Sequence, residues 1–160
     1  VCEFLNIEPS KLAKTLVYKA GDELVAVLLR GDREVEKVKL ANFLGLSEVE
    51  MADEKEVFDG TGVPTGYLGP VNIKIRLVAD QEVLAMKNFA IGANEKNYHF
   101  INVNVGRDFE IEEYGDLRQI TSKDQCPECG GKVDLAEGIE VGHIFKLGTS
   151  YSEALRNISR

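Results

Sequence analysis

Residues 61–70, TGVPTGYLGP, place Gly62, Pro64, Gly66, Gly69 and Pro70 within ten positions and hold two of the four prolines of the chain. Their chemistry would be that of main chain rather than side chain. Glycine reaches conformations closed to other residues and proline fixes φ, so such a run holds backbone in a set shape. A loop of this kind can turn several N–H groups toward one carbonyl oxygen or carboxylate. It is not a phosphate loop, since no Gly-Lys-Ser/Thr follows. It is not a dinucleotide fingerprint, since the pattern after it is a strand. The plainer reading of the same composition is a long surface connection.

Three further groups could do chemistry. CPECGG carries Cys126 and Cys129 at the spacing of half a zinc knuckle. A structural site closes with four ligands, and the remaining soft ligands are Cys2, His99 and His143, with no second pair at knuckle spacing. A turn without metal is therefore expected. His143 lies in EVGHIFKLG, a mostly apolar strand pattern. A hydrogen-bonded structural histidine is the ordinary outcome there, although a pKa near about 6.5 also suits a proton carrier. His99, between Tyr98 and Phe100, reads as a packing residue. Lys39 shares a helical stripe with Glu36 and Phe43, and a solvated lysine paired with Glu36 is the plain reading. Spacing alone supports no nucleophile–base–acid arrangement.

The elements that must position these groups read as follows. TLVYKA and ELVAVLLR are strands joined by a Gly21-Asp22 turn, the second apolar on both faces and hence central. GDREVEKVKLANFLG reads as a helix stopped by Gly45. VEM is a short strand, and DEKEVFDG a short helix with Asp53 and Glu56 in capping-box spacing. In VNIKIRLVAD, Val71, Ile73, Ile75, Leu77 and Ala79 alternate with mostly polar residues, predicting a half-buried strand from 71 to 79. KNFAIGAN and YHFINVNV are further strands, DLRQI is weak, and strands near 132–136 and 139–147 follow the CPECGG turn. Short helices with six to eight strands imply an α+β fold around a mixed, partly barrel-like sheet.

At 160 residues the chain fits a single core. It has no apolar run of membrane-spanning length, and its start lacks the basic and apolar regions of a leader, so a cytoplasmic protein without a membrane is expected. VCEFLNI looks like the tail of a helix begun earlier, as in a piece of a longer protein. The formal charge of −8 argues against general nucleic-acid binding, though not against handling the end of a nucleic acid that another part grips. Residues 1–40 hold seven basic and seven acidic side chains, whereas 41–60 hold six acidic ones and only Lys55. Phosphate should meet the first segment.

Four stretches, RGDREVEKVKLANFLG, GYLGPVNIKIRLVAD, NFAIGANEKNYHFINVNVGRDF and GIEVGHIFKLGTSYSEAL, together resemble the editing insertion of bacterial-type prolyl-tRNA synthetases, within the wider YbaK-like deacylase family. The resemblance runs in order over essentially the whole chain. It implies an editing domain at 1–148 and, at 149–160, a boundary segment toward a synthetase core. It implies hydrolysis of alanine wrongly esterified to proline tRNA, with no cofactor and no metal in the chemistry. The implied partners are the alanine-bearing acceptor end of that tRNA and the rest of a synthetase whose parent is a homodimer. Gly66–Pro70 matches the Gly-x-x-x-Pro loop of the family, whose amides near Gly66, Leu68 and Gly69 would hold the ester carbonyl, with Tyr67 and Pro70 beside the substrate. Lys39 matches the family's active-site lysine and would draw the terminal phosphate or ribose. Glu36 stands where many relatives carry Asn. His143 matches a histidine of the alanine pocket, shaping it or positioning water. A free-standing deacylase with another amino-acid preference, or a tRNA-end-binding domain without activity, are the other readings.

Overall fold

The computed structural model describes residues 1–136, 138, 139 and 142. His143, most of the expected 139–147 strand and the 149–160 segment lie outside the described residues. The chain divides into two compact units, Val1–Ile120 and a second beginning at Thr121.

The first unit is built on a five-stranded sheet. Strands β1 (Ala13–Ala20) and β2 (Glu23–Arg30) form the expected hairpin, in register from Ala13↔Arg30 to Ala20↔Glu23. Gly21, at φ 64, supplies the left-handed corner of its turn. The short β3 (Glu50–Met51) pairs antiparallel with β1. On the other side β4 (Arg76–Asp80) runs parallel to β2, and β7 (Glu113–Gly115) parallel to β4. The order β3-β1-β2-β4-β7 makes an α+β fold with a mixed sheet, as expected, and the sheet is open with two ends rather than closed as a barrel. A separate pair, β5 (Phe89–Gly92) and β6 (His99–Val103), is antiparallel.

Helices fill the connections: α1 (Cys2–Leu5), α2 (Lys37–Leu44), α3 (Glu54–Thr61) and α4 (Gln81–Ala85). The capping box at Asp53 and Glu56 forms, and Gly45 ends α2 at φ 72. Helix α2 starts later than its apolar pattern suggests. Val35 bridges to Arg118 and the Glu36 N–H donates to the Leu117 carbonyl at 2.8 Å, so that backbone is committed elsewhere. The strand expected from Val71 begins only at Arg76. Asn72 sits at φ 55, which breaks extended backbone, and with Val25 opposite Arg76 the partner strand is nearly exhausted before that point. Helix α4 and strand β7 were not expected. The first begins where β4 ends because the Asp80 carboxylate caps it, accepting from the Glu82 N–H at 2.9 Å.

Side-chain alternation sorts everything else onto two faces. Val25, Val27 and Leu29 of β2, with Tyr18 of β1 and Val78 of β4, pack against Leu40 and Ala41 of α2. The other parity faces the opposite way. Val17 packs with Val57 of α3 and with Val63 and Leu68, while Leu28 and Ala79 pack with Phe89 and Ile91 of β5 and Val83 of α4. Val25, Val27, Leu28 and Leu29 have no exposed surface, each worth about 1.5–3 kcal/mol, so β2 is the spine of both layers. Thus α2 covers one face, and residues 63–75 with β5 cover the other.

Candidate functional site

The glycine- and proline-rich loop is built from its ends inward. Gly62, at φ 74, stops α3, and the Thr61 hydroxyl donates to the Val57 carbonyl at 2.6 Å while its Oγ1 accepts from the Val63 N–H at 3.1 Å. Val63 and Leu68 then plug into the core beside Val17. Between these plugs Thr65 and Gly66 are exposed, and Gly66 takes φ 90 with open space where a side chain would be.

Two contacts fix the far side. Gly69 and Gly92 lie back to back. A Cβ on Gly69 would overlap the Gly92 carbonyl oxygen, and one on Gly92 would overlap the carbonyl oxygens of Tyr67 and Leu68. Asn94, left-handed at φ 59, then grips the loop at three points. Its Oδ1 accepts from the Gly69 N–H at 2.7 Å, its Nδ2 donates to the Val71 carbonyl at 2.7 Å, and its own N–H donates to the Tyr67 carbonyl at 2.9 Å. The Gly69 amide is therefore spoken for, which corrects the expectation that it faces a substrate. The amides of Gly66 and Leu68 have no hydrogen-bond acceptor among the described residues.

Tyr67 and Pro70 border different clefts. A cleft of about 450 Å³ is lined by Tyr67, Asn97, Tyr98, His99 and residues of α1. Another, of about 440 Å³, runs from Pro70 past Ile73 and Arg76 to Glu113. Either is far wider than a methyl group. The Tyr67 hydroxyl donates to Asn97 Oδ1 at 3.0 Å, and its ring meets that of His99 with centroids 6.0 Å apart at 59°. Partial burial pulls the His99 imidazole below its ordinary pKa. It is neutral near pH 7 and able to donate from one nitrogen and accept at the other.

Lys39 is not brought to this loop. It belongs to α2, on the opposite face of the sheet, and neither cleft bordering the loop includes it. Its ammonium donates to Asp116 Oδ2 at 2.7 Å and to the Arg118 carbonyl at 3.0 Å. Glu36 does not pair with it either, because it is the N-cap of α2 and accepts from the Val38 N–H at 3.4 Å. The basic residue that β1 carries onto the loop's face is Lys19, of the same parity as Val17. Its ammonium lies 3.3 Å from both Glu50 and Glu56, whose hydrogen bonds raise its pKa. His143 lies outside the described residues. The sequence did not single out Asn94 or Lys19, while His99, expected as a packing residue, packs against Tyr67. The available signals were asparagine's tolerance of left-handed backbone and the odd–even parity of TLVYKA.

In the second unit Cys126 and Cys129 sit in a tight turn, as expected, and both are free thiols. In the region expected to be a strand at 132–136, the pairing among the described residues is a single bridge, Gln125↔Lys132.

Comparison with known proteins agrees with this architecture. Residues 1–109 match the model of the aminoacyl-tRNA editing domain. The proline–tRNA ligase of Desulfotalea psychrophila is 63% identical over 155 residues, 97% of this chain and 27% of the ligase. That of Maridesulfovibrio salexigens is 49% identical over 156 residues, again 97% of this chain and 27% of the ligase. The chain thus spans about a quarter of the length of these relatives. A crystal structure of a candidate trans-editing enzyme for prolyl tRNA synthetase shares the fold, with a TM-score of 0.62 at 17% identity over 74% of this chain and 76% of that one. By sequence match and by fold, the chain belongs to the aminoacyl-tRNA editing domain family.

Proposed function

We propose that the chain hydrolyses the ester between alanine and proline tRNA, acting in cis as the editing segment of a proline–tRNA ligase. The observation that carries this reading is the held loop: Asn94 binds the Tyr67 and Val71 carbonyls and the Gly69 amide, Gly92 packs against Gly69, and the Gly66 and Leu68 amides have no acceptor among the described residues. Ester hydrolysis passes through a tetrahedral oxyanion, and prepositioned amides stabilise it without reorganising. The family match and the likeness to a quarter-length segment of proline–tRNA ligases support the same reading.

The need for such a site is physical. A pocket shaped for proline rejects a smaller amino acid weakly, since each missing methylene is worth only about 1–3 kcal/mol, so a second site must remove the error. In our reading water attacks the ester carbon, the developing oxyanion is held by Gly66 and Leu68 N–H, and the leaving ribose oxygen takes a proton assisted by its neighbouring hydroxyl. His143 shapes the amino-acid pocket or orders the water. With a net charge of −8 the chain relies on the rest of the synthetase to grip the tRNA.

The test uses proline tRNA charged in separate tubes with alanine, cysteine or proline, incubated with the chain and with the synthetase that contains it. Release of alanine with retention of proline is expected. Alanyl ester equally stable with and without protein removes the reading.

A further inference from the structure

Resting on the editing reading, we infer that the cleft of about 450 Å³ beside the loop seats the adenine of the RNA terminus, with the Tyr98 ring as its stacking surface and the Asn97 carboxamide reading its edge. Aromatic rings reach this cleft from separate segments: Phe4 from α1, Tyr67 from the loop, and Tyr98 and His99 from the turn that leads into β6. Phe4 is 90% and Tyr98 60% exposed, so both present ring surface to solvent instead of filling a core. A base removed from its helix stacks on such rings, since every base has a π-face. The cleft is too wide for a methyl group and falls within the range of small-ligand sites, about 300–1,000 Å³.

Tyr67 joins this cleft to the ester chemistry. It lines the cleft, and its chain neighbours Gly66 and Leu68 carry the two amides without an acceptor among the described residues. Consecutive Cα atoms are only about 3.8 Å apart. An ester held at those amides therefore leaves its ribose and base at the mouth of the cleft.

The edge reader is held in place. The Tyr98 N–H donates to the Glu95 carbonyl at 3.1 Å and the Ala93 N–H to the Tyr98 carbonyl at 3.3 Å, with Asn97 left-handed at φ 69 between them. The Tyr67 hydroxyl donates to Asn97 Oδ1 at 3.0 Å, which sets the oxygen end of the carboxamide. That bond uses one of two lone pairs, and Nδ2 has no acceptor among the described residues. A free N–H beside a free lone pair complements N7 and the amino group of adenine. A purine with oxygen in place of that amino group would set acceptor against acceptor.

The test is cleavage by the full chain of the alanyl esters of adenosine, of inosine and of anhydroribitol, the same sugar without a base. KM about five- to a hundredfold lower for the adenosine ester than for the baseless one is expected, with kcat similar. This preference should vanish in Tyr98→Ala and return in Tyr98→Phe, and the preference over inosine should vanish in Asn97→Ala. Equal KM for the adenosine and baseless esters, or a preference that survives Tyr98→Ala, overturns the seat and leaves the editing reading standing. A second arm needs no turnover. AMP and the trinucleotide cytidylyl-cytidylyl-adenosine, each titrated into the chain, should move the ring-proton signals of Tyr98 and His99 upfield. Such shifts without cleavage of any ester keep the seat and sink the hydrolase reading. Rings unmoved by both ligands overturn the seat, and shifts with AMP alone overturn its assignment to an RNA terminus.

Discussion

Gly69 and Gly92 meet main chain to main chain, so closely that neither can carry a Cβ without striking the other's segment. Gly92 ends β5, which packs on the loop-side face of the central sheet. This backbone contact adds to the Asn94 side-chain bonds and the Val63 and Leu68 plugs that hold the loop.

Alanine at either position should force the two segments apart. Gly69→Ala and Gly92→Ala are each expected to cost about 1–3 kcal/mol, the range for overpacking a filled site. Urea denaturation reads this directly. Gly66→Ala meets no neighbour, and its cost arises from φ 90 alone, about 1 kcal/mol. Its editing rate should nevertheless fall, because relief of the left-handed strain turns the Gly66 amide.

Asn94→Ala removes two side-chain hydrogen bonds, to the Gly69 N–H and from its own Nδ2 to the Val71 carbonyl. A loss of about 1–3 kcal/mol is expected. Freed from Asn94, the Gly69 amide should also exchange its hydrogen faster, which hydrogen exchange at single-residue resolution would show. Asn94→Asp keeps the acceptor and loses the donor, and should restore protection of Gly69 alone.

Lysine substitutions separate the two faces of the sheet. Lys39→Ala breaks a partly exposed ion pair with Asp116 and should cost under about 1 kcal/mol, with editing kinetics unchanged. Lys19→Ala removes the cation shared by Glu50 and Glu56 and should likewise cost under about 1 kcal/mol. A fall in editing rate in Lys39→Ala would return the active lysine to α2.

Much of this fold is legible in residue order. The hairpin at Gly21, the capping box at Asp53 and Glu56, the stop at Gly45 and the two-faced β2 all follow from local chemistry, and all form. Less legible were features decided by partners distant in sequence. Ile73 and Ile75 alternate like strand residues, yet they are partly buried against Leu68 and Val17 without a strand, because Asn72 turns the chain before β2 can pair with it. Lys39 and Glu36 share a helical stripe, but Glu36 is taken as a cap and Lys39 by Asp116, 77 residues away. The loop was recognisable from its composition. Which of its amides are free was not, since that depends on Asn94, 25 residues beyond Gly69.

The environment of His99 gives a pH signature. Burial lowers its pKa, so the folded state binds fewer protons than the unfolded state near that pKa. Its contribution to stability is complete well above about 6.5 and is lost as pH falls below that value. Proton NMR of the His99 ring should show a midpoint below about 6.5. A midpoint at or above it would mean that the ring beside Tyr67 is solvated.

The most direct test of the held loop is an amide-resolved NMR titration with 3′-alanylamino-adenosine, a non-hydrolysable mimic of the charged terminus. The largest downfield shifts are expected at the Gly66 and Leu68 N–H groups, with the Gly69 N–H, bound to Asn94, nearly still. Shifts centred on α2 around Lys39, with Gly66 and Leu68 unmoved, would contradict this expectation.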